Sequence, residues 1–283
     1  MTTKGISPVD TSAPGKAVIS VATSTPKWPF LRRYWTPTLA IGAVVALWWL
    51  ATAVLASPQS LLRQTTPGQV AKALVELYKR GVLLADTWVS LWRLLVGLLV
   101  AAVIGIPAGL LIGLNDTADR ATRPVVQFLR MISPLSWAPI SVAIFGIGNE
   151  PVIFLIAVAA VWPIVINTAA GVHAVDPGYL QVARSFGASR TELLNVVVLP
   201  AIRGHLQTGL RVALGIAWVV LVPAEMLGVR SGLGYQILNA RDQLAYGQVV
   251  AVIVVIGVIG YILDLAARRA LSVSRTDRSA AGQ

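Results

Sequence analysis

Long apolar stretches alternate with short polar ones along most of this chain. Six apolar runs span residues 38–56, 87–114, 124–145, 151–171, 206–228 and 248–267. A helix of about 20 apolar residues is long enough to cross the hydrocarbon layer of a bilayer. The pattern therefore predicts an all-α, polytopic membrane protein with six transmembrane helices.

Two of the polar stretches between these runs are also expected to contain helices. Residues 67–80 place Val70, Ala73 and Leu77 on one helical face, which is typical of an amphipathic helix at an interface. Residues 229–247 are too polar to cross a bilayer. We expect them to form an outer loop with a short helix.

One face of the second span consists of small residues. They recur every four positions: Gly97, Ala101, Gly105, Gly109 and Gly113. A neighbouring helix can approach such a face closely. Simple helix packing is the plainer interpretation, and the alternative is a face that slides or tilts during transport. Pro107 in the same span predicts a kink.

The polar segment between the fourth and fifth spans, residues 176–200, predicts two short helices that meet at a turn. Asp176, followed by proline, suits a helix start, and Gly187 suits a helix end. Ser189 and Glu192 have the spacing of a capping box that opens a second helix. A helix-punctuated insert between two apolar spans is typical of a docking loop.

Composition supports a membrane protein and excludes several other classes. The 283 residues are 56% hydrophobic and 12% charged, with a mean hydropathy of +0.73, whereas about a quarter of a soluble domain is charged. The absence of cysteine excludes disulfides and thiolate catalysis, and two histidines cannot form a histidine-rich metal site. The net charge of +11 does not indicate nucleic-acid binding, because basic residues flanking apolar spans are what inserted helices require.

The distribution of Lys and Arg predicts the orientation. With the N-terminus inside, fourteen of the 23 basic residues lie in cytoplasmic segments and six lie outside, as the positive-inside rule requires. Both termini and the 176–200 loop are then cytoplasmic. Residues 1–35 are expected to be a disordered tail, 36–270 the transmembrane domain and 271–283 a C-terminal tail.

No motif in the chain indicates a nucleotide-binding or catalytic site. A nucleotide-binding P-loop needs G-x4-G-K-[ST], and no such string is present. A Gly-x-Ser-x-Gly elbow and an HExxH pair are also missing. We therefore expect no catalytic residue, metal or cofactor in this chain, and any ATP hydrolysis must occur on another subunit.

The 176–200 loop resembles a known motif. Ala183, Gly187, Val197 and the Leu-Pro pair that follows have the spacing A-x3-G-x9-V-x-L-P, which resembles the cytoplasmic "EAA" loop in membrane subunits of bacterial ABC importers. The motif's first Glu and Ala are replaced by Gln181 and Val182.

Longer strings extend the resemblance over residues 36–270. RMISPLSWAPI, WPIVINTAAGV and LGIAWVVLVPAEMLG resemble permease subunits of the nitrate, sulfonate, taurine and bicarbonate group of ABC importers, and the first and last are most similar to the nitrate and bicarbonate type. The resemblance implies a type I importer permease fold in the bacterial plasma (inner) membrane. It also implies a second permease copy, two ATPase subunits carrying ATP and magnesium, and an extracytoplasmic substrate-binding protein.

The resemblance and the polarity pattern together nominate three sets of residues. The expected ATPase-coupling helix comprises Tyr179, Leu180, Gln181, Ala183, Arg184, Ser185, Phe186 and Gly187. The candidate translocation pathway comprises Arg93, Ser133, Ser136, Trp137, Asn167, Arg211 and Glu225. The candidate contact with the binding protein comprises Asn149 and Glu150.

Arg93 and Glu225 are charges inside spans, which are expensive and usually face a bundle interior. They are expected at similar depth, so we predict that they pair. A structural pair, separate snorkelling, and a gate or substrate contact remain open. If they pair, exchanging the two charges is expected to rescue the single reversals.

Two other classes of function remain open. A membrane scaffold could anchor a cytoplasmic partner through the same loop, and an ion-coupled secondary transporter could share the apolar pattern. The pathway prolines and the six-span layout weigh against a pure scaffold, and a co-purifying ATPase would exclude the secondary transporter.

Overall fold

The computed structural model describes residues 32–54, 57 and 60–272, and every regular element in this part of the chain is helical. The α-helices are α1 (Arg32–Trp49), α2 (Pro67–Lys79), α3 (Val82–Leu114), α4 (Asp116–Met131), α5 (Ala138–Phe145), α6 (Asn149–His173), α7 (Pro177–Ser185), α8 (Arg190–Glu192), α9 (Leu199–Ala201), α10 (Arg203–Gly228), α11 (Leu233–Asp242) and α12 (Tyr246–Ser272). Short π-helical segments cover Leu50–Val54 and Leu193–Val198, and 3-10 turns cover Leu61–Thr65 and Pro134–Trp137.

Four helices in the described residues are long and apolar enough to cross a membrane: α3, α6, α10 and α12. A bent pair, α4 with α5, makes a fifth if it counts as one span, and residues Leu39–Val54 form a shorter apolar helix. The count of six therefore stays a prediction. Most of the two predicted tails lies outside the described residues. Within the described part, residues 32–35, which were expected to be disordered, are helical, and α12 continues to residue 272.

The third predicted span is not one straight helix. Helix α4 ends at Met131, and the following 3-10 turn and α5 leave at 85° to it. Ser133 has extended backbone angles, because the ring of Pro134 disfavours the helical conformation of the residue before it. The span predicted over 124–145 is therefore a bent pair rather than one straight helix, and the break comes where the sequence places its proline.

The core of the fold is the close packing of α3 against α6. A Cβ atom added at Gly109 would lie 2.6 Å from Cβ of Thr168, and one added at Gly113 would lie 2.6 Å from Cβ of Val172. Gly97 meets Ile156 in the same way, so the two helices run parallel along the whole stripe. This contact confirms the packing interpretation of the small-residue face. Helix α3 passes through Pro107 as one continuous helix.

Helix α10 packs antiparallel against α6. Gly209 near its start approaches Asn167, and Gly171 near the end of α6 approaches His205. The end of α6, the start of α10 and the 176–200 loop therefore lie at one end of the bundle. Arg93 and Glu225 lie toward the other end.

The two predicted helices in polar stretches are present as α2 and α11. Val70, Ala73 and Leu77 of α2 are buried in a cluster with Ala251 and Val252 of α12. The amphipathic pattern of residues 67–80 is thus confirmed. Its apolar face lies against protein.

Candidate functional site

Helix α7 of the 176–200 loop is fixed at both of its ends. At its start the Asp176 carboxylate accepts a hydrogen bond of 2.8 Å from the backbone N–H two residues on. At its end Gly187 has a φ of +78°, while its N–H donates to the Arg184 carbonyl at 2.9 Å and the Ala188 N–H donates to the Ala183 carbonyl at 3.1 Å. This is the Schellman pattern, which requires a left-handed residue that glycine supplies without strain. The predicted start and stop are confirmed.

The second helical segment opens with the predicted capping box. The Glu192 carboxylate accepts from the Ser189 backbone N–H at 2.8 Å, and the Ser189 hydroxyl accepts from the Glu192 N–H at 3.3 Å. The backbone N–H of Ser189, followed by its side chain, lowers the pKa of the exposed Glu192 carboxyl. Two rigid helical pieces therefore meet at Gly187.

The outward face of this loop is apolar. Tyr179, Val182 and Phe186 are 67%, 57% and 88% exposed, and their spacing of three and four residues puts them on one helical face. On the inward side Leu180 packs against a small core that contains Val198. A phenylalanine that is almost fully exposed on a rigid, capped loop is typical of a surface that a partner covers.

The predicted coupling residues divide between these two faces. Gln181, Arg184, Ser185 and Gly187 are exposed, as are Tyr179 and Phe186, whereas Leu180 and Ala183 are half-buried. Sequence reasoning left out Val182, because it occupied a position where the motif has alanine. Its exposure adds it to the outward face.

At the other end of the bundle, Arg93 and Glu225 form an ion pair of 2.7 Å with side chains 2% and 0% exposed. The predicted pairing is confirmed, and neither charge snorkels. Arg93 also donates from Nε to Oδ1 of Asn149, from Nη1 to the Ser231 carbonyl and from Nη2 to the Ser231 hydroxyl, each at 2.8 Å. A buried arginine is stable only when its donors are satisfied in this way.

Glu225 is held by a second set of donors. Its carboxylate accepts from the Ser90 hydroxyl at 2.8 and 2.9 Å and from the Gly234 N–H at 2.9 Å. The same hydroxyl oxygen of Ser90 accepts from the Leu233 N–H at 2.9 Å. The loop after α10 is therefore bound to α3 through Glu225 and Ser90.

Asp86, one turn before Ser90 on α3, continues this network. Its carboxylate accepts from the Gly232 N–H at 2.7 Å and from Nε2 of Gln236 at 2.6 Å. We call Asp86, Ser90, Arg93 and Glu225, with residues 231–236, the buried ionic cluster. It clamps the start of α11 onto α3.

Sequence reasoning found two members of the buried ionic cluster and missed the others. Asp86, Ser90 and Arg93 recur at intervals of four and three residues, which is the spacing of a polar stripe on one helical face. That stripe was the available signal. A pathway role for Arg93 and Glu225 stays a prediction, and in this conformation both are enclosed by protein.

The other pathway candidates lie on three separate elements. Ser133 and Ser136 are exposed at the bend after α4, where Trp137 is half-buried. Asn167 of α6 donates to the Pro163 carbonyl at 2.8 Å. Arg211 of α10 is half-buried, and its Nε is buried with no hydrogen-bond partner in the described part of the chain. Their roles stay predictions.

The two residues nominated for contact with a binding protein differ in their surroundings. Asn149 is half-buried, and its Oδ1 holds Arg93. Glu150 is exposed beside it. Contact with a binding protein stays a prediction for both residues. Asn149 also stabilises the buried Arg93 by accepting its hydrogen bond.

Several relatives of this chain are permease proteins of transport systems. It is 36% identical over 251 residues to the taurine transport system permease protein TauC of Escherichia coli K12, covering 86% of this chain and 89% of TauC. The bicarbonate transport system permease protein CmpB of Synechococcus elongatus is 41% identical over 181 residues, covering 63% of this chain and 65% of CmpB. The nitrate import permease protein NrtB of Leptolyngbya laminosa is 40% identical over 175 residues, covering 62% and 63%.

Solved structures share the fold. A structure of inward-facing conformations of the MetNI methionine ABC transporter matches with a TM-score of 0.58 at 22% identity, covering 66% of this chain and 93% of that one. The predicted type I importer permease fold is thereby confirmed. The family described as "binding-protein-dependent transport system inner membrane component" matches residues 105–271. This chain, a multi-pass membrane protein, therefore belongs to the family of binding-protein-dependent transport system inner membrane components.

Proposed function

We propose that this chain is the permease subunit of an ATP-driven importer for a small anion or sulfonate of the nitrate, bicarbonate or taurine class. Two copies form one pathway, with two ATPase subunits on the cytoplasmic side and a substrate-binding protein outside. The names of TauC, CmpB and NrtB support the cargo class. The excess of basic residues in predicted inner segments supports an inner-membrane protein with both termini in the cytoplasm.

The observation that carries this proposal is the outward face of α7. Tyr179, Val182 and Phe186 are exposed on a helix whose ends are fixed by Asp176 and Gly187. A rigid, capped helix can transmit a push from a partner without deforming, whereas a flexible loop would absorb it. We infer that the ATPase binds to this face.

Nucleotide chemistry belongs to that partner in this proposal. The sequence has no P-loop to hold phosphates. ATP and magnesium would be bound by the ATPase subunits, and this chain would act as a transport component with no cofactor of its own. Phe186 and its neighbours supply contact area and rigidity for the coupling step.

Truncation of the exposed phenylalanine tests the docking step. Removing an aromatic anchor from an interface costs 2 kcal/mol or more, about thirtyfold in affinity. We expect Phe186→Ala to lose co-purification of the ATPase in detergent, while Leu244→Ala, which truncates another exposed apolar side chain near α11, retains it. Equal retention by both variants would remove the docking assignment.

Substitution at the turn tests coupling itself. At a φ of +78° any residue other than glycine is strained, and a carboxylate also adds charge to the docking surface. We expect Gly187→Asp to insert into the membrane but to separate ATP hydrolysis from uptake in vesicles. Gly68→Asp, at an open helical position, is the control. Full uptake driven by ATP in Gly187→Asp contradicts the proposal.

A further inference from the structure

The cleft between α4 and α6 is lined by both apolar and basic side chains. The apolar ones include Val126 of α4 and Val165 and Ile166 of α6. The basic ones are Arg123 and Arg130 of α4 and His173 of α6. Such a combination fits an amphiphile better than a fully soluble ion, because a soluble ion gains nothing from the apolar side chains.

The cleft lies where two spans end. Helix α3 ends at Leu114 and α6 at His173, side by side, because Gly113 packs on Val172. From His173 to Val165 the helix descends by about 12 Å at 1.5 Å per residue. The His173 end of the cleft is therefore at the depth of lipid headgroups, and its Val165 end is at the depth of the first acyl carbons.

The charge of the basic side chains in the cleft is only partly neutralised. Arg123 pairs with Asp119 at 2.6 Å. Arg130 is exposed, and in the described part of the chain it has no hydrogen-bond or ion-pair partner. A guanidinium without a protein partner favours a phosphate oxygen as its acceptor.

Helix α4 leaves the cleft open. It has no buried residue, and its contacts are mainly with α3 rather than α6. Arg120, Arg123 and Arg130 of this helix alternate with exposed Val125 and Phe128. The basic residues of this helix attract anionic lipid.

We propose that the cleft between α4 and α6 is a binding site for an anionic phospholipid. Arg130 and Arg123 hold its phosphate, and Val126 with Val165 and Ile166 receives the upper part of an acyl chain. The bound lipid fills the gap that separates α4 from the α3–α6 core.

Native mass spectrometry of the purified full-length chain tests this site. The delipidated protein is titrated with phosphatidylglycerol or phosphatidylcholine of identical acyl chains. We expect Arg123→Gln with Arg130→Gln to weaken phosphatidylglycerol binding by roughly ten- to thirtyfold, about fivefold or less per arginine. The control, Arg230→Gln with Arg241→Gln, removes the same charge from exposed positions near α11.

A third variant separates a site from diffuse attraction. Ala170→Phe places a large side chain in the cleft from an exposed position and leaves the charge unchanged, so we expect it to weaken phosphatidylglycerol binding as well. The proposal is overturned if Ala170→Phe binds like the unaltered chain, or if both arginine pairs lose binding equally. It is also overturned if a second protein chain occupies the cleft and no lipid preference exists.

Discussion

Exchanging the charges of Arg93 and Glu225 will not fully restore the protein, although the two side chains do pair. The exchange Arg93→Glu with Glu225→Arg conserves one positive and one negative charge. It also reverses the polarity that the backbone groups at the site require, whereas the Asn149 amide and the serine hydroxyls can reorient. A glutamate at position 93 would face the Ser231 carbonyl, and an arginine at position 225 would face the N–H of Gly234.

The magnitude follows from the bonds that the exchange cannot rebuild. Two of them involve backbone groups that cannot change polarity: Arg93 donates to the Ser231 carbonyl, and Glu225 accepts from the Gly234 N–H. A hydrogen bond to a charged group contributes about 1.5–3 kcal/mol, so their loss amounts to roughly 3–6 kcal/mol. A single reversal loses one of these bonds and also buries two like charges side by side. The double variant should therefore stay about 3 kcal/mol or more below the unaltered protein, so we expect at most a partial rescue.

Thermal unfolding of the purified protein in detergent measures this effect, and limited proteolysis within residues 229–247 reports release of the clamped loop. The control is the exposed i,i+4 pair Asp264 and Arg268, with side chains 45% and 65% exposed. Exchanging those residues should change stability by no more than about 0.5 kcal/mol. Recovery of the buried exchange to within about 1 kcal/mol of the unaltered protein would refute the hydrogen-bond account, since only an isolated ion pair tolerates inversion.

Three further substitutions probe other parts of the structure. Gly109→Leu should destabilise the protein by about 3 kcal/mol or more, because the added side chain meets backbone and side chain of α6 within 3 Å, whereas Gly257→Leu at an open position should be neutral in the same thermal unfolding assay. Asp86→Ala should raise hydrogen exchange at the start of α11, and unchanged exchange there would contradict the clamp. The pKa of Glu192 is lowered by its hydrogen bonds to Ser189, so its stabilisation of the second loop helix is present above the unfolded-state pKa and is lost as the pH falls through the folded-state value. The protection factors of the amides in that helix, which correct for the pH dependence of intrinsic exchange, should therefore fall at acid pH in the unaltered chain, and Glu192→Gln should abolish this dependence.

The helix caps and the turn of the 176–200 loop could be predicted because their determinants are local. Asp176, Gly187 and the Ser189–Glu192 pair each act within a few residues of themselves. A capping residue or a left-handed glycine has the same effect in any fold. The exposure of Phe186 could not be predicted in this way, because it depends on which side of α7 the π-helical segment Leu193–Val198 covers.

The buried ionic cluster depends on contacts between distant parts of the sequence. Glu225 and Arg93 are 132 residues apart, and Asp86 binds Gln236 across 150 residues. Charge inside a span predicted one pair, since an isolated charge there is unstable. The backbone N–H groups of Gly232 and Gly234 donate to the carboxylates of Asp86 and Glu225. Because glycine has no side chain, the sequence does not indicate this contribution.

The average composition of residues 124–145 concealed the bend after α4. Apolar residues continue from Pro124 to Phe145, so composition favoured one span, while Pro134 made a helix break more probable at Ser133. Arg123 and Arg130 on one side of the break, and the apolar α5 on the other, show that the two halves have different surroundings. Counting the charged residues of α4 and α5 separately would have distinguished the two halves.

Helix α10 connects the 176–200 loop to the buried ionic cluster. At its start, Ile202 and Val198 pack with Leu180 of α7 in one small core, and near its end Glu225 is bonded to α3 and to the loop that opens α11. Its 26 residues extend about 39 Å at 1.5 Å per residue. Because close-packed side chains have little free volume, a displacement of α7 cannot be absorbed at Leu180 and must move the start of α10. The clamp at Glu225 then determines whether α10 pivots about that end or moves together with α11. Phe186→Ala perturbs the loop end of this connection and Asp86→Ala perturbs the clamped end, so the two variants distinguish these alternatives.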